Sequence, residues 1–384
     1  MITIEKTKYP MTDEQVRRKL FWLLQRLSSY SLWQRKRGAW AYFTQQYEQA
    51  LKTWPEEITK GFYSKGIIRA YEVLRLYEEG LSELAVGNRQ VWQCQTGAFH
   101  QLFRPVSLIR TYFYYPCHNE RGGQEEAYPP EIEILNKLKI AAEFKGDNLL
   151  YPPHDNVCNI FDAEYLLNPE HYHHHFRTLP YPVFPKNLPP VPERSDIIIK
   201  TDDPVPCDGI WEPVKIQYNH KLLVIKADIS RFKNLGAYNY FIRGMNAPRQ
   251  DYYDVLIESD TEMVIPDDPI RYRDVHWRLV WEDTRYCDGI IPDESEYFLD
   301  DAPGKRITCP SGEVCPHSGH WATIAGGHQQ FIDVQAGQLM PEATRYQSDI
   351  YAPVIRLPAM WSLLCRDDDG GVFIKSNFIK PIEK

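Results

Sequence analysis

The sequence contains no long apolar run. No stretch approaches the ~20 apolar residues that a membrane-spanning helix requires, so no membrane partner is expected. No secretory leader is visible in Met1 to Pro10, which is polar and mixed in charge, and the chain is expected to stay in the cytosol. Cysteine is sparse, eight in 384 residues, and in a cytosolic chain these read as reduced thiols. The familiar catalytic signatures are missing as well. There is no Gly-x-Ser-x-Gly elbow, no phosphate-binding loop, no dinucleotide glycine pattern and no helical histidine pair around a glutamate. The expectation is a protein that is not an enzyme and holds no cofactor and no metal.

What is present is a short pattern that occurs twice. Pro206-x-x-Gly209-x-Trp211 is matched by Pro316-x-x-Gly319-x-Trp321. Each copy is followed by an aromatic, a glycine and a proline at equal spacing, Tyr238, Gly244 and Pro248 in one and Phe331, Gly337 and Pro341 in the other. Proline and glycine build tight turns, and tryptophan anchors a small unit in a core. None of these residue types does acid–base or nucleophilic chemistry. The pattern predicts a duplicated antiparallel β unit that presents a surface. Cys207-Asp208-Gly209-Ile210 echoes Cys287-Asp288-Gly289-Ile290, consistent with a repeated turn.

The net charge of −8 is unevenly spread. Residues 1–110 carry a net +7, and residues 251–301 hold 16 acids and 4 Arg. An acidic field repels nucleic acid and speeds the approach of a cationic partner, although a charge run also simply keeps a surface solvated.

Helical spacing dominates the first third. Thr12 is a candidate N-cap, with Asp13 and Glu14 in the first turn and Val16, Leu20, Leu23 and Leu27 on one face. A second helix after Ser31 carries Trp33, Trp40, Tyr47 and Trp54 at seven-residue intervals, which reads as the core stripe of a bundle, with Arg35-Lys36-Arg37 on its solvent side. A third helix, with Pro55 in its first turn, runs to a stop at Gly87. Phe103 to Tyr115 is compatible with strand or helix, residues 117–130 read as a loop, and Glu131 to Phe144 as one more helix. Six prolines between Arg177 and Arg194 mark a connection. Beyond it, Ile197 to Lys200, Lys221 to Ile225, Val275 to Trp281 and Val372 to Lys375 are strand-like. The predicted fold class is α+β: a mainly helical domain over 1–176 built as an antiparallel bundle, a proline-rich connection over 177–195, and a β-rich domain over 196–384 with two diverged repeats near 198–248 and 307–341.

Two clusters have metal-ligating residue types. His171 to His175 lies near Asp162, Glu164 and Glu170, but consecutive histidines do not converge on one ion from a regular element. A metal-dependent hydrolase using that run is the competing class. Cys309, Cys315, His317 and His320 would suit zinc, yet their spacing matches no common finger, and the first repeat, with its Asp208 and Trp211, lacks the two histidines. The acid pairs Asp202-Asp203, Asp267-Asp268 and Asp300-Asp301 sit among turn residues and read as solvated turns.

The segment Gly312-Glu-Val-Cys-Pro-His-Ser-Gly-His-Trp321, followed by Gly337-Gln-Leu-Met-Pro341, resembles the immunity protein 71 and immunity protein 72 families of bacterial polymorphic-toxin systems. Pro204 to Pro213, Trp277 to Pro292 and the aromatic helical start from Phe21 to Trp54 share in that resemblance. It implies a protein that binds one cognate, cytosol-acting toxin, exported by a type VI or contact-dependent system, and blocks its active site. An effector-delivery adaptor is the other alternative. The resemblance brings no catalytic residues. With the acidic field, it points to a basic toxin domain and to Glu282, Asp283, Asp288, Asp293 and Glu294 as toxin-binding residues. Trp211 and Trp321 serve as anchors, and a homodimer contact through the basic helical half is left open.

Overall fold

The computed structural model describes residues 9–54, 56–59, 62–113, 130–143, 149–154, 156–169, 171–172, 181–193, 195–216, 232–253, 270–301, 304–345, 353–368 and 370–375. Helices come first: α1 (Glu14–Leu27), α2 (Tyr30–Thr53), α3 (Glu56–Thr59), α4 (Phe62–Leu84), α5 (Ala98–Gln101), α6 (Phe103–Phe113), α7 (Pro130–Ala142) and α8 (Glu164–Leu167), with a 3₁₀ turn over Arg89–Trp92 before α5. Antiparallel strands follow: β1 (Ile198–Lys200), β2 (Gly209–Ile216), β3 (Phe232–Asn234), β4 (Asn239–Phe241), β5 (Gln250–Tyr253), β6 (Ile270–Arg273), β7 (His276–Glu282), β8 (Gly304–Arg306), β9 (Thr308–Pro310), β10 (Gly319–Ala325), β11 (His328–Val334), β12 (Ala343–Thr344), β13 (Arg356–Leu357), β14 (Met360–Arg366) and β15 (Phe373–Lys375). The chain is α+β.

The helices follow their sequence signals with shifts of one or two residues. Asp13, not Thr12, caps α1, because its carboxylate reaches the Gln15 N–H at 2.7 Å. Helix α2 starts at Tyr30, so Ser31 lies inside it, and it is capped by Ser29. Trp33, Trp40 and Tyr47 of its aromatic stripe are buried, and Trp33 stacks on Phe99 with ring centroids 4.0 Å apart. Lys36 departs from the expected solvent face. It is buried, with its Nζ 3.9 Å from the centroid of the Trp33 ring, and burial pushes its pKa well down. Gly87 ends the α4 region at φ +80°, where the Asn88 N–H returns to Glu83 O. Phe103–Phe113, undecided between strand and helix in the sequence, is helix, with Pro105 in its first turn. The loop expected over 117–130 and the strand expected over Lys221 to Ile225 lie outside the described residues, except for Pro130, which opens α7.

The twofold pattern is a duplicated four-stranded unit. The first has strand order β1-β7-β2-β4, with β3 added to the far end of β2, and the second β9-β14-β10-β11. Their registers superpose residue for residue. Gly209 pairs with Phe241 and Glu282, and Gly319 with Val334 and Arg366. Both central strands carry a register shift at one place, between Ile210 and Trp211 and between His320 and Trp321. The flanking bridges also match, Pro204 to Asn246 and Val314 to Leu339.

The repeated glycine has a steric reason. A Cβ on Gly209 would lie 2.1 Å from Trp281 O, and one on Gly319 2.2 Å from Cys365 O, so the neighbouring strand closes in only because that position has no side chain. Each unit also carries a second buried tryptophan that the sequence pattern left out. Trp277 Nε1 donates to Pro248 O at 2.7 Å, and Trp361 Nε1 to Pro341 O at 2.8 Å. These two bonds explain the prolines at the ends of the repeat tails: each offers a carbonyl to the core tryptophan. The Cys287-Asp288-Gly289-Ile290 echo, by contrast, is no repeated turn. Gly209 enters a strand, whereas Gly289 lies at φ +74° in an open turn closed by its N–H to Tyr286 O.

The two units differ in what they pack against. The first shares one continuous apolar core with the helices, from Val16 through Trp211 and Trp277 to Phe298. The second has its own small core around Cys309, Cys315, Trp321, Met340, Trp361 and Leu363. Helix α7 packs against its β10–β11 hairpin.

Candidate partner-binding face

The acidic segment follows β7. The carboxylates proposed from sequence as one set separate here into two by burial. Asp283 is 3% exposed and sits in a cage of donors. Arg89 Nη2 reaches Oδ1 at 2.8 Å, Arg285 Nε reaches Oδ1 at 2.9 Å and its Nη2 reaches Oδ2 at 2.8 Å, and the Tyr240 hydroxyl donates to Oδ2 at 2.8 Å. Burial alone pushes the Asp283 pKa up, but Arg285 and then Arg89, by charge and hydrogen bond, bring it to a net value below the usual carboxylate range. Arg285 also donates to Gln25 O and Ser28 Oγ at the end of α1. The cage therefore fastens β7 to α1 and to the 3₁₀ turn.

Glu294 is buried too, and its task is to finish a helix. The Ser31 N–H donates to Glu294 Oε2 at 2.8 Å, and the Tyr30 N–H donates to the Tyr286 hydroxyl at 2.9 Å, which in turn donates to Glu294 Oε1. These amides are the orphan donors at the start of α2, where the helix dipole also favours a negative charge. Asp283 and Glu294 thus face inward and hold the segment rigid.

Glu282, Asp288 and Asp293 are exposed. Asp288 accepts from the Ile290 N–H and Asp293 from the Ser295 N–H, both at 2.9 Å, so each carboxylate is held at its turn. The Ser295 donors hold the Asp293 pKa below its ordinary value. Between these acids lie Ile290, 66% exposed, and Ile291. The turn after α4 abuts the same loop, since a Cβ on Gly87 would lie 2.9 Å from Cys287 Sγ. The segment thus exposes Ile290 and Ile291 between Asp288 and Asp293 in the chain, while the buried Asp283 and Glu294 tie it to the helices. Exposed apolar side chains beside charged ones suit a protein-binding surface.

The sequence contained no local signal for Arg89 or Tyr240, which lie far along the chain from Asp283. Arg285 does fall within the quoted Trp277 to Pro292 motif, but its pairing depends on the fold. Pro206, Gly209 and Trp211, with Pro316, Gly319 and Trp321, lie on the turns and central strands of the two units, where Trp211 and Trp321 are fully buried.

Cys309, Cys315, His317 and His320 do not converge. The Cys315 thiol donates to His317 O, and His320 stacks on Phe331 and pairs with Asp333 at 2.7 Å. Of the histidine run, His171 is exposed, while His173 to His175 lie outside the described residues, as do Asp267-Asp268. Among the described residues, the group close enough to share an ion is Cys94, His100 and His154. There the Gln95 N–H donates to His100 Nδ1 at 3.1 Å. All seven described cysteines are free thiols, and burial raises the Cys158 pKa to about 12. No helix among the described residues is long and apolar enough to cross a membrane.

No curated protein and no solved structure gives a significant match to this chain. A family model does match: residues 190–299 fit the family described as Immunity protein 72. The matched stretch is the first β unit together with the acidic loop, and the second unit lies beyond it. That match supports assigning the chain to an immunity-protein family.

Proposed function

We propose that this chain binds and neutralises a cognate bacterial toxin, and that it does so with the loop from Glu282 to Asp293. The observation that carries this reading is the exposure of Ile290 and Ile291 in one segment with the exposed carboxylates Glu282, Asp288 and Asp293, inside the matched stretch. These acids select a basic surface, because carboxylates steer a cationic partner into contact and repel nucleic acid. Toxin domains that act on nucleic acids are basic for the same electrostatic reason. The mechanism is occlusion: a rigid loop seated on the toxin's active site or substrate channel, with no bond made or broken. The site of action is the cytosol, and the toxin is a polymorphic or type VI effector. Asp283 and Glu294 contribute by holding the loop in shape.

The test is co-expression in a heterologous bacterium. The C-terminal domain of the neighbouring gene's product is produced in the cytosol with and without this chain. Rescue of growth by this chain alone is the expected result. Toxicity that persists beside well-expressed chain refutes the reading for that pair.

A further inference from the structure

The two β units place the same face in two settings. In the first, the face beside β4 and the end of β7 is covered by the chain's own 3₁₀ turn. Arg89 enters it and donates to Asp283 at 2.8 Å and to the Tyr240 hydroxyl at 3.1 Å. Gln90 extends the contact to Arg243 O at 3.0 Å, and Trp92 meets the Tyr240 ring edge-on. The register gives the matching positions in the second unit. Asp367 stands at the place of Asp283, and their N–H groups donate to the equivalent carbonyls, Ser318 O and Asp208 O. Asp333 stands at the place of Tyr240, and Ala336 at that of Arg243. The Ala336 N–H is held by Ser318 Oγ at 2.9 Å as the Arg243 N–H is held by Asp208 Oδ1 at 2.8 Å, so the turn has the same form.

The second face is open. The Asp333 side chain is 74% exposed, and Asp367 and Ala336 are exposed. Arg366 pairs with Asp368, its neighbour but one, not with Asp367. Further along the same strand pair, where the first unit has Pro204 and Asn246, the second has Val314 and Leu339 bridged together, 60% and 65% exposed.

We propose that the second unit's open face is a second docking site for the toxin, and that it takes an arginine-bearing segment as the first unit takes Arg89. The first unit supplies the evidence for the occupant: on this geometry, a guanidinium enters beside the aspartate and the following residue meets the carbonyl of the adjoining turn. The second unit offers two carboxylates, of which Asp333 also meets His320, where the first has one carboxylate and one phenol, and an exposed apolar pair where the first has none. Its preference for a cation with an apolar neighbour is therefore stronger. The proposal rests on the toxin-binding reading and adds a second point of contact, so that the toxin is held by the loop of the first unit and the face of the second.

The experiment uses the full-length chain and the toxic domain of the neighbouring gene's product. A photo-crosslinking phenylalanine analogue is placed at Leu339, and the affinity of the D333N/D367N double variant is measured by titration calorimetry. The D333N change keeps a side-chain acceptor for His320, and unchanged thermal unfolding confirms intact folding. The expected result is a Leu339 cross-link to the toxin and a Kd raised about tenfold or more, with a shallower salt dependence. If the wild-type chain binds and rescues, but no cross-link forms and the variant's Kd stays within about twofold, the second site is refuted and the first reading stands. A cross-link between two copies of the chain also overturns the proposal, because the face is then a self-association surface. If the wild-type chain neither binds nor rescues, both readings fall together.

Discussion

Replacing Asp283 by Asn tests whether the first unit is clamped to the helices by its buried charge. Asp283 lies between Arg89 and Arg285, and the variant leaves Arg89 without its counter-charge and Arg285 with Glu294 alone, at 3.8 Å. Breaking a buried pair from one side costs about 3–5 kcal/mol, and the lower end applies here because Asn keeps one acceptor oxygen. Asp367 supplies the internal control. It occupies the matching position in the second unit but is exposed, so D367N should change stability by no more than about 0.5 kcal/mol. Urea unfolding followed by tryptophan fluorescence reads both variants. The pH dependence gives a second check. The folded pKa of Asp283 is depressed, so its contribution is fully present above the unfolded carboxylate value of about 3.9 and is lost as pH falls through the lower folded value. The gap between wild type and D283N should therefore close in acid. A D283N protein within about 0.5 kcal/mol of wild type at neutral pH would refute the clamp.

Other outcomes follow from the same geometry. G319A drives a Cβ into a backbone carbonyl, and because the second core is separate, limited proteolysis should cut the second unit while leaving the helices and first unit protected. G337A, at φ +90° in open space, should cost only about 1–2 kcal/mol. K36M should stabilise the protein at neutral pH: with its folded pKa depressed, Lys36 costs stability as pH falls from about 10.4 through the folded value, and the variant loses that slope in a pH series of unfolding curves. The E282Q/D288N/D293N triple variant should slow association with the toxin by about tenfold at low salt and little at high salt, measured by stopped flow.

Much of the fold was legible because its signals are local. Helix periods, caps and the spacing of turn residues lie within a few positions of one another, and the matched Pro, Gly and Trp revealed the duplication. The second tryptophan of each unit escaped notice because Trp277 and Trp361 follow their first tryptophans at unequal distances, 66 and 40 residues on. The loop connecting the central strands differs in length, and only pairing registers bring the strands into correspondence. The site was half legible for a related reason. Acidic composition located the right segment, but charge in a sequence does not distinguish a carboxylate facing water from one facing an arginine. Asp283 and Glu294 differ from Glu282 and Asp293 only in what the fold puts beside them. Lys36 shows the reverse case: a basic run looked solvated until helix geometry turned one member toward Trp33.

The separate core of the second unit has an evolutionary consequence. A protein that must keep pace with a changing adversary needs positions where substitution is cheap. The first unit has few of these on the face toward the helices, since each residue there also holds the bundle. The copy has no such duty on its outer face. If the chain neutralises a toxin as proposed, the duplicated architecture leaves one unit under structural constraint and gives the other an outer face where substitution costs little. Among close relatives, turnover should concentrate at the exposed positions Val314, Asp333, Ala336, Leu339 and Asp367, while Arg89, Asp283 and Tyr240 stay fixed.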